Sequence, residues 1–338
     1  MAAVASESSA GSRNVSIRET YKSADLWVNS RNRFVRPASS SLFNDKENIS
    51  GQTKENCFQD YFPCSCSLDT YNRTLVSCRN VSVETVRDVF HRVNEPEIYQ
   101  LELYPLADAA NTISIPADLL GNTSVTSYRI IGVYAKYQKL LIDPSAFRSS
   151  QNSLVNLYVS NFDFGLQKDF SFLDDFNRLD LLEFLSVNNL TAFQYLPPLP
   201  SLQRLYIQFC PDLNQITFPD LSPAKLKLLF LRDNQISDKT ADKIVASLAA
   251  STSADSLEDL VLNANSLTRI PSQLGSAFPK QTEVYLADNI ISHIPSSSLT
   301  FAYPLSMLDL QANQLKTIES GAFKGRLLRD CCASKSFL

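Results

Sequence analysis

The sequence predicts an α/β solenoid, an arc of stacked units whose parallel strands make a concave sheet of about nine strands, closed in front by a disulfide cap. Three observations predict it. The spelling LxxLxLxxNxLxxI at Leu305, Leu308, Leu310, Asn313, Leu315 and Ile318 returns at Leu257, Leu260, Leu262, Asn265, Leu267 and Ile270, and again at Leu226, Leu229, Leu231, Asn234 and Ile236. Weaker copies run back as far as Ile98. Four cysteines, Cys57, Cys64, Cys66 and Cys78, gather just ahead of the first copy.

A period in the twenties with this spelling is that of a leucine-rich repeat. In each unit the leucines of LxL point into a shared core and the residue between them faces solvent on the concave side. The Asn carries an amide that can satisfy backbone groups of the turn leaving the strand. No unit can bury its apolar side alone, so stability comes from stacking.

In chain order, residues 1–56 are polar, Ser-rich and without period, which predicts a disordered head. Residues 57–97 form the cysteine-rich cap, ending in a short helix over Val83 to Val93. Residues 98–325 are the repeats, and 326–338 an irregular tail. The strand centres expected are Leu101, Tyr128, Leu157, Leu185, Leu205, Leu229, Leu260, Val284 and Leu308, separated by 27, 29, 28, 20, 24, 31, 24 and 24 residues. Two copies are irregular: Gln281 stands in a leucine position and Cys210 in an Asn position, where a buried thiol is expected. Ile115-Pro116, Ile270-Pro271 and Ile294-Pro295 mark return segments, and the Phe of Ala146-Phe147 and Ala322-Phe323 is expected to fill a spine beneath the convex side. Between Ser237 and Ala250, Ile244, Val245 and Leu248 share one face of a convex-side helix.

Composition narrows the functional classes. The net charge of −4 argues against nucleic acid, whose phosphates need clustered Lys and Arg. No apolar run approaches about 20 residues, so no membrane span is expected. The chain has only two histidines, His91 and His293. It has no GxSxG elbow, phosphate-cradling glycine loop or HExxH motif, so no enzyme, cofactor or metal site is expected. A zinc site is a poor reading of the four cysteines because C-x-C departs from zinc-ligand spacing. A disulfide knot fits better, in any of three pairings, and it places the chain outside the cell.

Sequons at Asn14, Asn48, Asn72, Asn80, Asn122 and Asn189 agree with secretion, with Asn72, Asn80 and Asn122 the glycosylation candidates. Asn189 is set aside because it falls near the buried Asn position of its repeat. Met1 to Ser30 lacks the apolar core of a signal peptide and no cysteine cap follows Phe323, so both ends are expected to differ from the natural secreted chain.

The span from Cys57 to about Gly325 resembles an extracellular leucine-rich-repeat protein. Within that group it is most similar to the non-catalytic subunit of deep-sea shrimp luciferase and its crustacean relatives. The likeness is carried by Cys57-x6-Cys-x-Cys-x11-Cys ending in VSCRNVS, by VETVRDVFHRV, by Ile98 leading into LELY, and by LPPLPSLQRLYI from Leu196 to Ile207. The resemblance implies the pairing Cys57–Cys66 and Cys64–Cys78. It also implies a chain that accompanies a catalytic partner and performs no chemistry itself.

The concave file expected from the repeats is Glu102, Arg129, Tyr158, Ser186, Tyr206, Phe230, Val261, Tyr285 and Asp309, with Arg204 and Arg232 on the same face. Arg129, Tyr158, Arg204, Tyr206, Phe230, Arg232 and Tyr285 are the partner-binding candidates. An exposed stripe of such residues marks a docking surface for another protein. Alternative readings are the ectodomain fragment of a receptor or adhesion protein and a cytoplasmic repeat scaffold.

Overall fold

A computed structural model describes residues 57–323, apart from 58, 135, 216, 220, 222, 223 and 302–304. The expected head, the tail, and the sequons at Asn14 and Asn48 lie outside the described residues.

The cap contains β1 (Ser65–Leu68), β2 (Thr74–Val81) and α1 (Val83–Arg92). α1 begins where Ser82 accepts a hydrogen bond from the Thr85 amide. It buries Val83, Val86, Val89 and Phe90, a helical stripe turned to the core. The repeats supply β3 (Glu97–Pro105), β4 (Thr112–Ile115), β5 (Ser124–Ile131), β6 (Gln138–Ile142), β7 (Asn156–Ser160) and β8 (Phe162–Asp163). Next come β9 (Leu181–Leu185), β10 (Arg204–Gln208), β11 (Leu228–Arg232), α2 (Asp238–Ala249), β12 (Asp259–Val261) and α3 (Leu274–Ala277). The last are β13 (Glu283–Tyr285), β14 (His293–Ile294), β15 (Met307–Asp309) and β16 (Thr317–Ile318).

One sheet of 11 strands runs β1-β2-β3-β5-β7-β9-β10-β11-β12-β13-β15. Nine of these are the expected repeat strands, all parallel. The cap adds β2, parallel to β3, and β1, antiparallel to β2. Val76 and Cys78 stand in register with Leu101 and Leu103, so the cap continues the leucine layer of the repeats. The two disulfides are Cys57–Cys66 and Cys64–Cys78. They pin the front hairpin over a core that would otherwise end in exposed leucines. On the return side β4-β6-β8 form a second parallel sheet and β14-β16 a third.

The register corrects one strand. Leu157 pairs with Leu182, and Leu182 with Leu205, so Leu182 and not Leu185 is the centre of β9. The intervals either side become 25 and 23 residues, and the outlying 20 disappears. Backbone conformation gives the reason. The residue just before the Asn position is left-handed in seven successive repeats: Asn161, Ser186, Phe209, Asp233, Ala264, Asp288 and Ala312. By that marker the Asn position of the β9 repeat holds Val187, fully buried, and not Asn188 or Asn189. The expectation that Asn189 sits near a buried slot is therefore wrong, and Asn189 is exposed. Phe184 takes the inward position and joins a cluster with Phe164, Phe170 and Phe193 at centroid distances of 5.6 to 6.0 Å. Such edge-on contacts add to the area the rings bury.

Where Asn is present it bridges repeats. Asn234, Asn265, Asn289 and Asn313 donate to the carbonyls of Ile207, Leu231, Leu262 and Leu286 at 2.7, 2.7, 3.0 and 2.8 Å. Cys210 is a buried free thiol, as expected, and its Sγ donates to the Gln208 carbonyl at 3.3 Å. Phe147 fills the return-side spine as expected, but Phe323 does not: it is 42% exposed, because no described unit stacks beyond it.

Candidate functional site

The inward alternation that buries the leucines turns every second residue to the concave face. Cross-strand pairing aligns them as Ser77, Glu102, Arg129, Tyr158, Glu183, Tyr206, Phe230, Val261, Tyr285 and Asp309. Eight of the nine expected members are in place. Ser186 is not. The corrected register puts Glu183 there, and Ser186 lies past the strand end.

Arg204 and Gln208 flank Tyr206 on β10, and Arg232 flanks Phe230 on β11, on the same face as expected. The cap brings Arg79 to this face, its guanidinium 3.9 Å from the Tyr104 ring and 3.5 Å from Glu102. Arg129 lies 3.7 Å from the other Glu102 oxygen and 5.1 Å from the Tyr158 ring centre. Arg204 is held by Asp180, and Arg232 lies 3.9 Å from Asp233. Guanidinium groups on tyrosine faces gain the cation–π attraction.

The file is less exposed than expected. Tyr206 and Tyr285 are only 5% and 7% exposed, and Val261 3%. Tyr206 packs on Phe230 with centroids 5.4 Å apart, and the Tyr285 hydroxyl donates to Glu283 at 2.7 Å. Neighbouring strands are close enough for adjacent large side chains to cover one another. Tyr158, Phe230, Arg129, Arg204 and Arg232 remain half-buried and are the part a partner can touch.

Electrostatics divide the face. Burial pushes the Glu183 carboxyl up to about 7, against the pull of Arg129. Towards the last repeats, burial and the neighbouring carboxylates Glu283 and Glu258 push Asp259 up to about 6. Burial likewise raises Asp309. Burial raises the Tyr158 and Tyr206 hydroxyls above their usual range, so both stay neutral donors.

The remaining candidates lie elsewhere. His91, on α1, touches the Asp118 carbonyl at 2.9 Å, and His293, half-buried on β14, touches the Thr317 hydroxyl at 2.6 Å. Asn72, Asn80 and Asn122 are all exposed. The Asn189 amide donates to Asp163 at 2.8 Å. Among the described residues no group of three or more His, Cys, Asp or Glu is placed to hold a metal ion, and no helix is long and apolar enough to cross a membrane.

Sequence reasoning missed Glu183, Gln208, Arg79 and Tyr104 on this face. The available signal for Glu183 was the alternative frame Leu179, Leu182, Phe184, which fits the leucine spelling as well as the frame ending in Asn188 does; for Gln208 it was the alternation Arg204, Tyr206, Gln208. For Arg79 it was the alternation of Val76 and Cys78.

The fold and its concave face define a leucine-rich-repeat solenoid with an N-terminal disulfide cap. No protein-family model matches the chain, and no curated protein matches it in sequence. Among solved structures it is similar to a chain of the octameric complex of latrophilin 3 (Lec, Olf), Unc5D (Ig, Ig2, TSP1) and FLRT2 (LRR). That likeness has 17% identity and a TM-score of 0.42, over 76% of this chain and 78% of that one. It is also similar to a chain of the Toll–Spätzle complex of Drosophila, at 13% identity and a TM-score of 0.41. There it covers 78% of this chain and 38% of that one. Likeness this distant carries no argument about partners, and the fold assignment rests on the strand register.

Proposed function

We propose that this chain is a non-enzymatic extracellular module that binds another protein through its concave face. The observation that supports this best is the run Arg129, Tyr158, Tyr206 and Phe230 along that face. It joins the residue types that dominate protein-binding hot spots on a rigid sheet whose opposite side is fully packed. The paired cap cysteines favour an oxidising compartment over a cytoplasmic scaffold. The exposed Asn72, Asn80 and Asn122 are proposed glycan acceptors off the middle of the face. An accessory role beside a catalytic chain, which the cap segment's resemblance implies, is a special case of this reading.

The test is capture from the native extracellular fluid with the full chain as bait, against a Tyr158→Ala, Phe230→Ala variant. These two rings are chosen because Tyr206 is too buried to remove cleanly. The expected result is an unchanged circular dichroism spectrum with at least about tenfold weaker capture, the scale of one hot-spot residue. A specific partner retained in full by the variant refutes the concave-face reading.

A further inference from the structure

Glu183 is the least expected residue on the concave face. It is 5% exposed, in the middle of the file, with Tyr158 and Tyr206 directly beside it on the neighbouring strands. Its hydrogen bond is a long one, from Gln208 Nε2 at 3.4 Å. No ion pair reaches it among the described residues. The two nearest guanidinium groups on this face are engaged with other carboxylates, Arg204 with Asp180 and Arg129 with Glu102. A buried carboxylate in this position is normally paired, because burying an uncompensated charge is costly.

We propose that Glu183, with the rings of Tyr158 and Tyr206 on either side, is a receptor slot for a basic side chain, lysine or arginine, of the protein that docks on the concave face. This rests on the binding role proposed above and names its chemistry. The slot presents what a cation needs: a carboxylate without an ion pair, flanked in register by two tyrosines, a ring type that attracts positive charge and already draws Arg129 to Tyr158. Tyr158, the less buried of the two, forms its open side.

The groups facing Glu183 are Arg129 from β5, Tyr158 from β7, and Arg204, Tyr206 and Gln208 from β10, with Asp180 just before β9. With Arg204 matched by Asp180, and Arg129 sharing Glu102 with Arg79, Glu183 is left without an ion pair, Arg129 acting on it only at longer range. Its raised proton affinity, about 7, follows from the same burial. A cation captures the ionised form only, so binding releases a proton and tightens as pH rises. Between pH 6 and pH 8 the ionised fraction grows about tenfold, and affinity grows with it.

The test uses the full chain with isotope-labelled tyrosine rings, titrated with N-acetyl-lysine methylamide and, separately, with N-acetylglutamate. Tyr158→Phe assigns the Tyr158 signals. The expected result is saturable shifts of the Tyr158 and Tyr206 rings by the lysine probe. They should be about tenfold tighter at pH 8 than at pH 6, absent in Glu183→Gln, and weakened in Tyr158→Leu, which keeps the carboxylate. Glu183→Gln keeps the side-chain size and removes only the charge. Shifts that persist in Glu183→Gln, shifts that never saturate, or tighter binding of the anionic probe would overturn the slot. If the slot fails while capture still depends on Tyr158 and Phe230, the concave-face reading stands. If both fail, it falls too.

Discussion

Replacing Glu183 by Gln should stabilise the protein, and by an amount that depends on pH. The carboxyl ionises near 4.5 in an open chain and at about 7 in the fold. That difference is equivalent to about 3 kcal/mol of resistance to ionisation in the folded chain. The folded state binds the proton more tightly than the unfolded state. The burden on stability is therefore absent below pH 4.5, grows as pH rises towards 7, and is constant above. Gln keeps the shape and stays neutral throughout. Thermal melts of the two proteins should coincide near pH 4 and separate by roughly 6–12 °C at pH 8, at about 2–4 °C per kcal/mol for a large domain. Other perturbed carboxyls, such as Asp259, are common to both proteins and cancel in the difference. A gap that does not change with pH, or a variant less stable at pH 8, would refute the claim that Glu183 is a buried carboxylate lacking an ion pair.

Three further outcomes are expected. Asn289→Ala should cost about 2–4 kcal/mol in urea unfolding, because it strands the Leu262 and Leu286 carbonyls and the Leu267 amide; Asn189→Ala, outside the slot, should cost under about 1 kcal/mol in the same assay. Gln281→Leu should stabilise by about 1–3 kcal/mol in urea unfolding, since both polar atoms of the Gln281 amide are buried without a partner among the described residues. Replacing Cys64 and Cys78 together by Ser should cost roughly 2–5 kcal/mol, read as early loss of amide-exchange protection in β1 and β2, with the late repeats unaffected.

The solenoid, its strand count and its cap were legible in the sequence because stacking repeats one requirement many times. Leucines at Leu229, Leu260 and Leu308, each with an Asn five residues on, state the same packing problem and its solution. Even Cys210 could be read as a buried stand-in, since its place in the frame was unambiguous. The β9 unit was not legible, because two frames three residues apart both satisfy the leucine spelling and the Asn pair at 188 and 189 favoured the wrong one. What separates them is whether Phe184 or Val187 fills the second inward position of the strand, against Phe164 and Phe170, and those rings come from the preceding repeat.

By itself the chain determined which residues recur, and so the layers that stack, the inward leucines and the file that faces out. Only the tertiary structure decided the register of one strand against its neighbours, and with it that Glu183 rather than Ser186 stands between Tyr158 and Tyr206. The physical reason is that periodicity is local to a unit, whereas register and burial are set by side chains from adjacent units. A three-residue choice in one repeat thus changes the charge at the centre of the face.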